Sequence, residues 1–98
     1  MARAVLACED DIISTVPISA PNGACEENEG YDFYAGTSMA TPHVAGVAAL
    51  LTAQGRTADQ TIDVLERTAR TAGTGSRGTY TPAYGYGIVD ADAATAAP

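Results

Sequence analysis

Gly36-Thr37-Ser38-Met39-Ala40-Thr41-Pro42-His43-Val44-Ala45-Gly46 is the stretch of this 98-residue chain from which everything else is read. Gly36 permits a tight backbone turn, Ser38 is expected at or next to a helix N-cap, and Pro42 is expected in the first turn, where a missing N–H costs least. A helix follows from near Ser38 to about Ala53. From Ala40 to Leu51 it is apolar around nearly its whole circumference, the pattern of a helix buried on every side. Gly46 in its middle costs up to about 1 kcal/mol in propensity, reasonable only where another backbone packs closely against it. The positive end of this helix faces the serine, and free N–H groups there can bind the negative oxygen that forms when a hydroxyl attacks a carbonyl. Acyl transfer also needs a base, and the chain offers no good one. His43, the sole histidine, lies five residues beyond Ser38. On a helix that means a rotation of about 140° and a rise of about 7.5 Å. Proton abstraction needs a reach of about 2.6–3.2 Å, so His43 is read as structural.

The run resembles the active-site serine segment of the subtilisin-like serine proteases, whose pattern is Gly-Thr-Ser-Met-Ala-Ser/Thr-Pro-His-Val-Ala-Gly, and it matches at every position. Asp11-Ile12-Ile13-Ser14-Thr15-Val16-Pro17 is similar to the strand before that segment. Gly85-Tyr86-Gly87-Ile88-Val89-Asp90-Ala91 is similar to the family's closing Gly-x-Gly-x-Val-Asn/Asp-Ala, so the resemblance covers roughly residues 5–96. It implies an α/β fold, with residues 1–98 as a C-terminal fragment of a doubly wound parallel-sheet peptidase domain: short strands or a hairpin, a buried central helix, an amphipathic helix and a short C-terminal helix. It implies a serine-type endopeptidase acting on polypeptide, with Ser38 as nucleophile and the Ser38 backbone N–H as one oxyanion donor.

In such enzymes the triad runs Asp, His, Ser along the chain. The resemblance therefore places the triad Asp, the His of a His-Gly-Thr-His segment and the oxyanion Asn in an upstream part of the domain that is not among these residues. That missing N-terminal part is the expected partner, and the chain alone is expected to be inactive, because an unactivated serine hydroxyl is a poor nucleophile. Asn22 and Asn28 lie in the wrong segment to replace the oxyanion Asn. The alternative, from another class, is a non-catalytic structural or interaction fragment that docks onto a complementary chain. Where the family commonly has Ala-Pro-Gly before the strand, this chain has Ala7-Cys8-Glu9, so residues 1–10 are read as a diverged or uncertain start. The resemblance implies secretion, although no signal peptide is read in the chain.

At this length the chain is one domain at most and buries a modest fraction of its surface. Twelve acidic residues against five arginines and no lysine give a formal charge of -7, which argues against nucleic acid or an anionic membrane as partner. Glu26, Glu27, Glu29 and Asp32 form either a solvated acidic loop or a calcium site, and they lack the alternation of a recognisable calcium loop. Cys8 and Cys25 lack metal spacing and are either free thiols or a disulfide. Zinc, haem, nucleotide and flavin motifs are absent, so no cofactor and no metal is implied.

Outward from the serine, Ile12–Val16 and Tyr31–Tyr34 read as short strands of a hairpin-like unit that delivers Ser38, with residues 21–30 as an exposed loop. Tyr34 and Ala35 are candidates for the leaving-group side of a cleft. Thr37 is expected to support the turn and Met39 to fill core space. Gly55 is expected as the C′ residue of the serine helix. Thr57-Ala58-Asp59-Gln60 is a capping-box pattern opening a helix to about Ala69, with Ile62, Leu65 and Ala69 as its inward stripe. Residues 71–78 read as a flexible surface loop. Tyr80, Tyr84 and Tyr86 are expected to pack against a last short strand, and Asp90 to cap a helix over 91–96.

Overall fold

The computed structural model describes residues 11–18, 30–71, 73 and 75–98. The chain divides into two compact units, residues 1–41 and 42–98.

In the first unit, strands β1 (Ile12–Thr15) and β2 (Tyr31–Tyr34) pair antiparallel, Ile12 opposite Tyr34 through Thr15 opposite Tyr31. Both are short runs of β-branched or aromatic residues, which suit a pleated ribbon. The Val16 N–H donates to the Gly30 carbonyl at 2.8 Å and carries the ladder one step further. The expected strand pair is formed, and the class is α/β. Among the described residues no parallel pair accompanies it. Ile12, Ile13, Tyr31 and Tyr34 are exposed. Asp32 is the buried side chain of β2, and its Oδ1 accepts the Phe33 N–H at 2.7 Å. Beyond β2 the backbone turns at Gly36, whose φ of 130° favours glycine, and enters helix α1 (Thr37–Ala53).

In the second unit, α1 continues and ends in a Schellman motif. The Arg56 N–H donates to the Leu51 carbonyl and the Gly55 N–H to that of Thr52, with Gly55 at φ 86° as expected for C′. Helix α2 (Ala58–Thr68) opens with the expected capping box, both reciprocal bonds present: Gln60 N–H to Thr57 Oγ1 at 3.2 Å and Thr57 N–H to Gln60 Oε1 at 2.9 Å. Helix α3 (Ala91–Ala96) is capped by Asp90, which accepts the Ala93 N–H at 3.0 Å. Val47 and Leu51 of α1, Val64 of α2 and Ala94 of α3 form the core, with Leu65, Val89 and Ala97 packed against it. Full burial of one such aliphatic side chain contributes about 1.5–3 kcal/mol.

Four expectations need correction. The serine helix is not buried on every side: of its residues only Val47 and Leu51 are buried, and Val44 and Leu50 are exposed. No described residue lies near the position a Gly46 Cβ would take. Among the described residues, one side of α1 has neighbours and the others do not. The buried residues of α2 are Thr61, Val64 and Thr68; of the expected stripe, Leu65 packs against the core and Ala69, just past the helix, is buried, but Ile62 is 53% exposed. Thr68 fits there because its hydroxyl donates to the Val64 carbonyl at 2.6 Å, whereas the buried Thr61 hydroxyl has no hydrogen-bond partner among the described residues.

Of the expected 71–78 loop, Thr71 and residues 75–78 are tied down by backbone bonds. Backbone bonds from Thr71 to Ser76 at 2.9 Å and from Gly78 to Ala69 at 3.1 Å close them into a turn, and a Cβ on Gly78 would press on the Arg67 backbone. The last segment forms single bridges, Arg70 to Ile88 and Thr81 to Gly85, in place of a strand. Tyr80 and Tyr86 meet edge to face at 5.5 Å, and all three tyrosines are exposed.

Candidate active site

Ser38 is the second residue of α1, and its side chain is exposed. The turn before it explains why. With Gly36 at positive φ, the Gly36 carbonyl accepts both the Met39 and the Ala40 N–H at 3.1 Å, so glycine starts the helix and the serine is spared that task. The expectation that Ser38 sits at or next to the cap shifts by one place: Thr37 intervenes. Thr37 supports the turn as expected, its carbonyl accepting the Thr41 hydroxyl at 2.8 Å.

Neither the Ser38 hydroxyl nor its backbone N–H has a hydrogen-bond partner among the described residues. The first turn carries no acidic residue to offset the helix dipole. The arrangement therefore has an open hydroxyl, an open N–H beside it and an uncompensated positive helix end, the elements that bind a developing oxyanion.

Pro42 is the sixth residue of α1, in its second turn rather than its first. It cannot donate the hydrogen bond that would otherwise fall on the Ser38 carbonyl four residues back, so the backbone at the serine lacks one of its helical restraints.

No described carboxylate or imidazole is hydrogen-bonded to Ser38. His43 is exposed on α1, and Tyr34 and Ala35 are exposed just before the turn, while Met39 is half-buried. Asn22, Asn28, Glu26, Glu27, Glu29, Cys8 and Cys25 all lie outside the described residues, so the calcium and disulfide expectations stay where the sequence left them. Among the described residues no cluster of His, Cys, Asp or Glu could hold a metal ion, and no helix is long and apolar enough to cross a membrane. Two open clefts lie in the second unit, of about 510 Å³ beside α2 and Pro98 and about 150 Å³ between Val44, Leu65 and Tyr86. Ser38 lines neither.

One constellation is invisible in the sequence. Asp90, read there only as a cap, also accepts Arg77 Nη1 at 2.8 Å, with Arg70 Nε 3.7 Å away. The hydrogen bonds from Ala93 and then Arg77 hold its carboxyl below the usual carboxylate range. No spacing rule links positions 70, 77 and 90. The link comes from the turn at 71–78 and the Arg70–Ile88 bridge.

Residues 16–87 match the family model described as the subtilase family, peptidase S8. Thermitase of Thermoactinomyces vulgaris is 45% identical over 67 residues, covering 64% of this chain and 24% of that protein. The thermophilic serine proteinase of Bacillus sp. (strain AK1) is 42% identical over 67 residues, covering 67% and 14%. The extracellular basic protease of Dichelobacter nodosus is 40% identical over 91 residues, covering 86% and 14%. Among solved structures, fervidolysin from Fervidobacterium pennivorans, a keratinolytic enzyme related to subtilisin, superposes with a TM-score of 0.65 at 35% identity, over 90% of this chain and 14% of that one. The chain thus spans about a quarter or less of the length of these relatives.

Proposed function

The chain belongs to the subtilase family, and from that premise we propose that it is the serine-bearing part of a peptidase domain, with Ser38 as the nucleophile of a serine-type endopeptidase. The observation that carries the reading is the exposed, unpartnered Ser38 hydroxyl beside its own open N–H at the positive end of α1. In the reaction the Ser38 oxygen attacks the carbonyl carbon of a peptide bond, and its proton passes to a base that later protonates the leaving amine. An acyl-enzyme forms, and water then releases the acid. The Ser38 N–H steadies the oxyanion in both halves.

The base, its orienting carboxylate and the second oxyanion donor come, in this reading, from the N-terminal part of the same domain, which is the partner of residues 1–98. The uncovered sides of α1 and the exposed β1–β2 ladder support such a partner, because an apolar helix with a bare glycine in its middle is built for close packing. The substrate is polypeptide. An extracellular relative supports secretion.

The test uses a fluorophosphonate probe, which reports an activated serine. The chain alone is expected to stay unlabelled. Supplied with the remaining N-terminal portion of a subtilase domain, it is expected to label at Ser38 and to lose the label in Ser38→Ala. Strong labelling of the isolated chain would mean that it contains its own base, and a stable complex that never labels would favour a purely structural fragment.

A further inference from the structure

Helix α3 is held at its two ends by different chemistry. At the C-terminal end, Gln54 donates to the Thr95 carbonyl at 2.9 Å and Arg56 to that of Ala97 at 2.6 Å. None of these donors changes charge in acid, because an amide does not titrate there and a guanidinium stays protonated. At the N-terminal end everything passes through one carboxylate. Asp90 Oδ1 accepts the Ala93 N–H, and Oδ2 accepts Arg77 Nη1. The same Arg77 nitrogen donates to the Thr68 carbonyl at 2.8 Å, tying the end of α2, the 71–78 turn and α3 together. The charged groups acting on Asp90 are Arg77 from the turn and Arg70 from just past α2, while α3 itself contributes Asp92 in its first turn. The Asp90 side chain is 18% exposed.

We infer that Asp90 is an acid-sensitive latch, whose protonation frees the first turn of α3 and residues 75–78 while the C-terminal end of α3 stays clamped. A neutral carboxyl loses the charge that strengthens both of its bonds. Its native titration lies below the ordinary carboxylate range because of those bonds. The stability it contributes is therefore fully present above the unfolded-chain value and is lost as the pH falls through the lower native value. Opening has a consequence beyond the surface. Ala94, next to Ala93, is fully buried against the Leu51 and Val64 cluster, so a freed first turn admits water and proteases to that core. The inference does not depend on the role of Ser38.

The test is NMR on the 98-residue chain between about pH 6 and about pH 2, a window that brackets ordinary carboxylate titration. It follows the Asp90 carboxyl carbon together with amide protection factors. Protection at Ala93 and Gly78 should fall about tenfold or more as Asp90 titrates, while the Gln54 and Arg56 side-chain bonds to the Thr95 and Ala97 carbonyls persist. Asp90→Asn, which keeps a capping acceptor but has no charge to lose, should remove the acid step at both amides. If that variant fails to fold, Arg77→Gln should raise the Asp90 titration towards the ordinary range and loosen Gly78 while Ala93 stays capped. Loss of protection at the same pH in wild type and Asp90→Asn, or simultaneous release of both ends of α3, would overturn the inference, as would titration of Asp90 with no change at either amide.

Discussion

The two units of the chain differ in what they complete by themselves. Residues 42–98 close a small core around Leu51, Val64 and Ala94, stop one helix with a Schellman motif, start the next with a capping box and fasten the third at both ends. The described residues of 1–41 hold a two-stranded ribbon exposed at most of its large side chains and a serine whose hydroxyl and N–H are open. Order that comes from local motifs is finished within the chain. Under the proposed function the open serine waits on groups from other segments, because a nucleophile must keep its bonding capacity free for substrate and base.

The contrast is broken most severely by emptying the core. Leu51→Ala removes a side chain with no exposure and is expected to cost about 2–5 kcal/mol in urea unfolding. Leu50→Ala, one residue earlier and 54% exposed, should stay within about 0.5 kcal/mol. Equal losses at the two positions would mean that α1 is covered on both sides in solution. Next come the glycines. Gly87 has φ 109° and lies against the Arg70 backbone, so Gly87→Ala pushes a Cβ into the Arg70–Ile88 bridge and adds a clash to the ~1–3 kcal/mol of the unfavourable φ. At Gly36, φ 130° with open space, Gly36→Ala incurs the backbone strain alone. Comparing the two unfolding midpoints separates the clash from the strain.

Smaller again is the loss of the α2 cap. Thr57→Ala deletes one of two reciprocal bonds and should cost about 1 kcal/mol. This element also shows how unevenly the sequence reveals the fold. The capping box, the Gly55 ending and the Asp90 cap are legible because each is written in a few neighbouring residues with a fixed spacing. The stripe of α2 is not, since Ile62 outranks Thr61 on any hydrophobicity scale and only the fold shows that Thr61 faces the cluster side while Ile62 faces out. The burial of α1 is hidden from the sequence for a related reason. Composition reports which side chains would tolerate burial, and neighbours decide which are buried. At the site, the exposed serine and its Gly36 turn were readable from residues 36–46. The placement of Pro42 in the second turn was not, because it depends on the helix starting at Thr37.

The smallest expected effect discriminates best between a serine that builds the helix and one that the helix presents. A serine at a true N-cap satisfies an orphan N–H with its side chain, and its replacement by alanine costs about 1 kcal/mol. Here the Gly36 carbonyl accepts the Met39 and Ala40 N–H groups, the third and fourth of α1, and the Ser38 hydroxyl bonds to no described residue. Ser38→Ala should therefore leave the urea midpoint unchanged within about 0.5 kcal/mol, while abolishing probe labelling once the rest of the domain is supplied. A midpoint loss near the capping value would return Ser38 to a structural role in α1 and remove the main support for its place in catalysis.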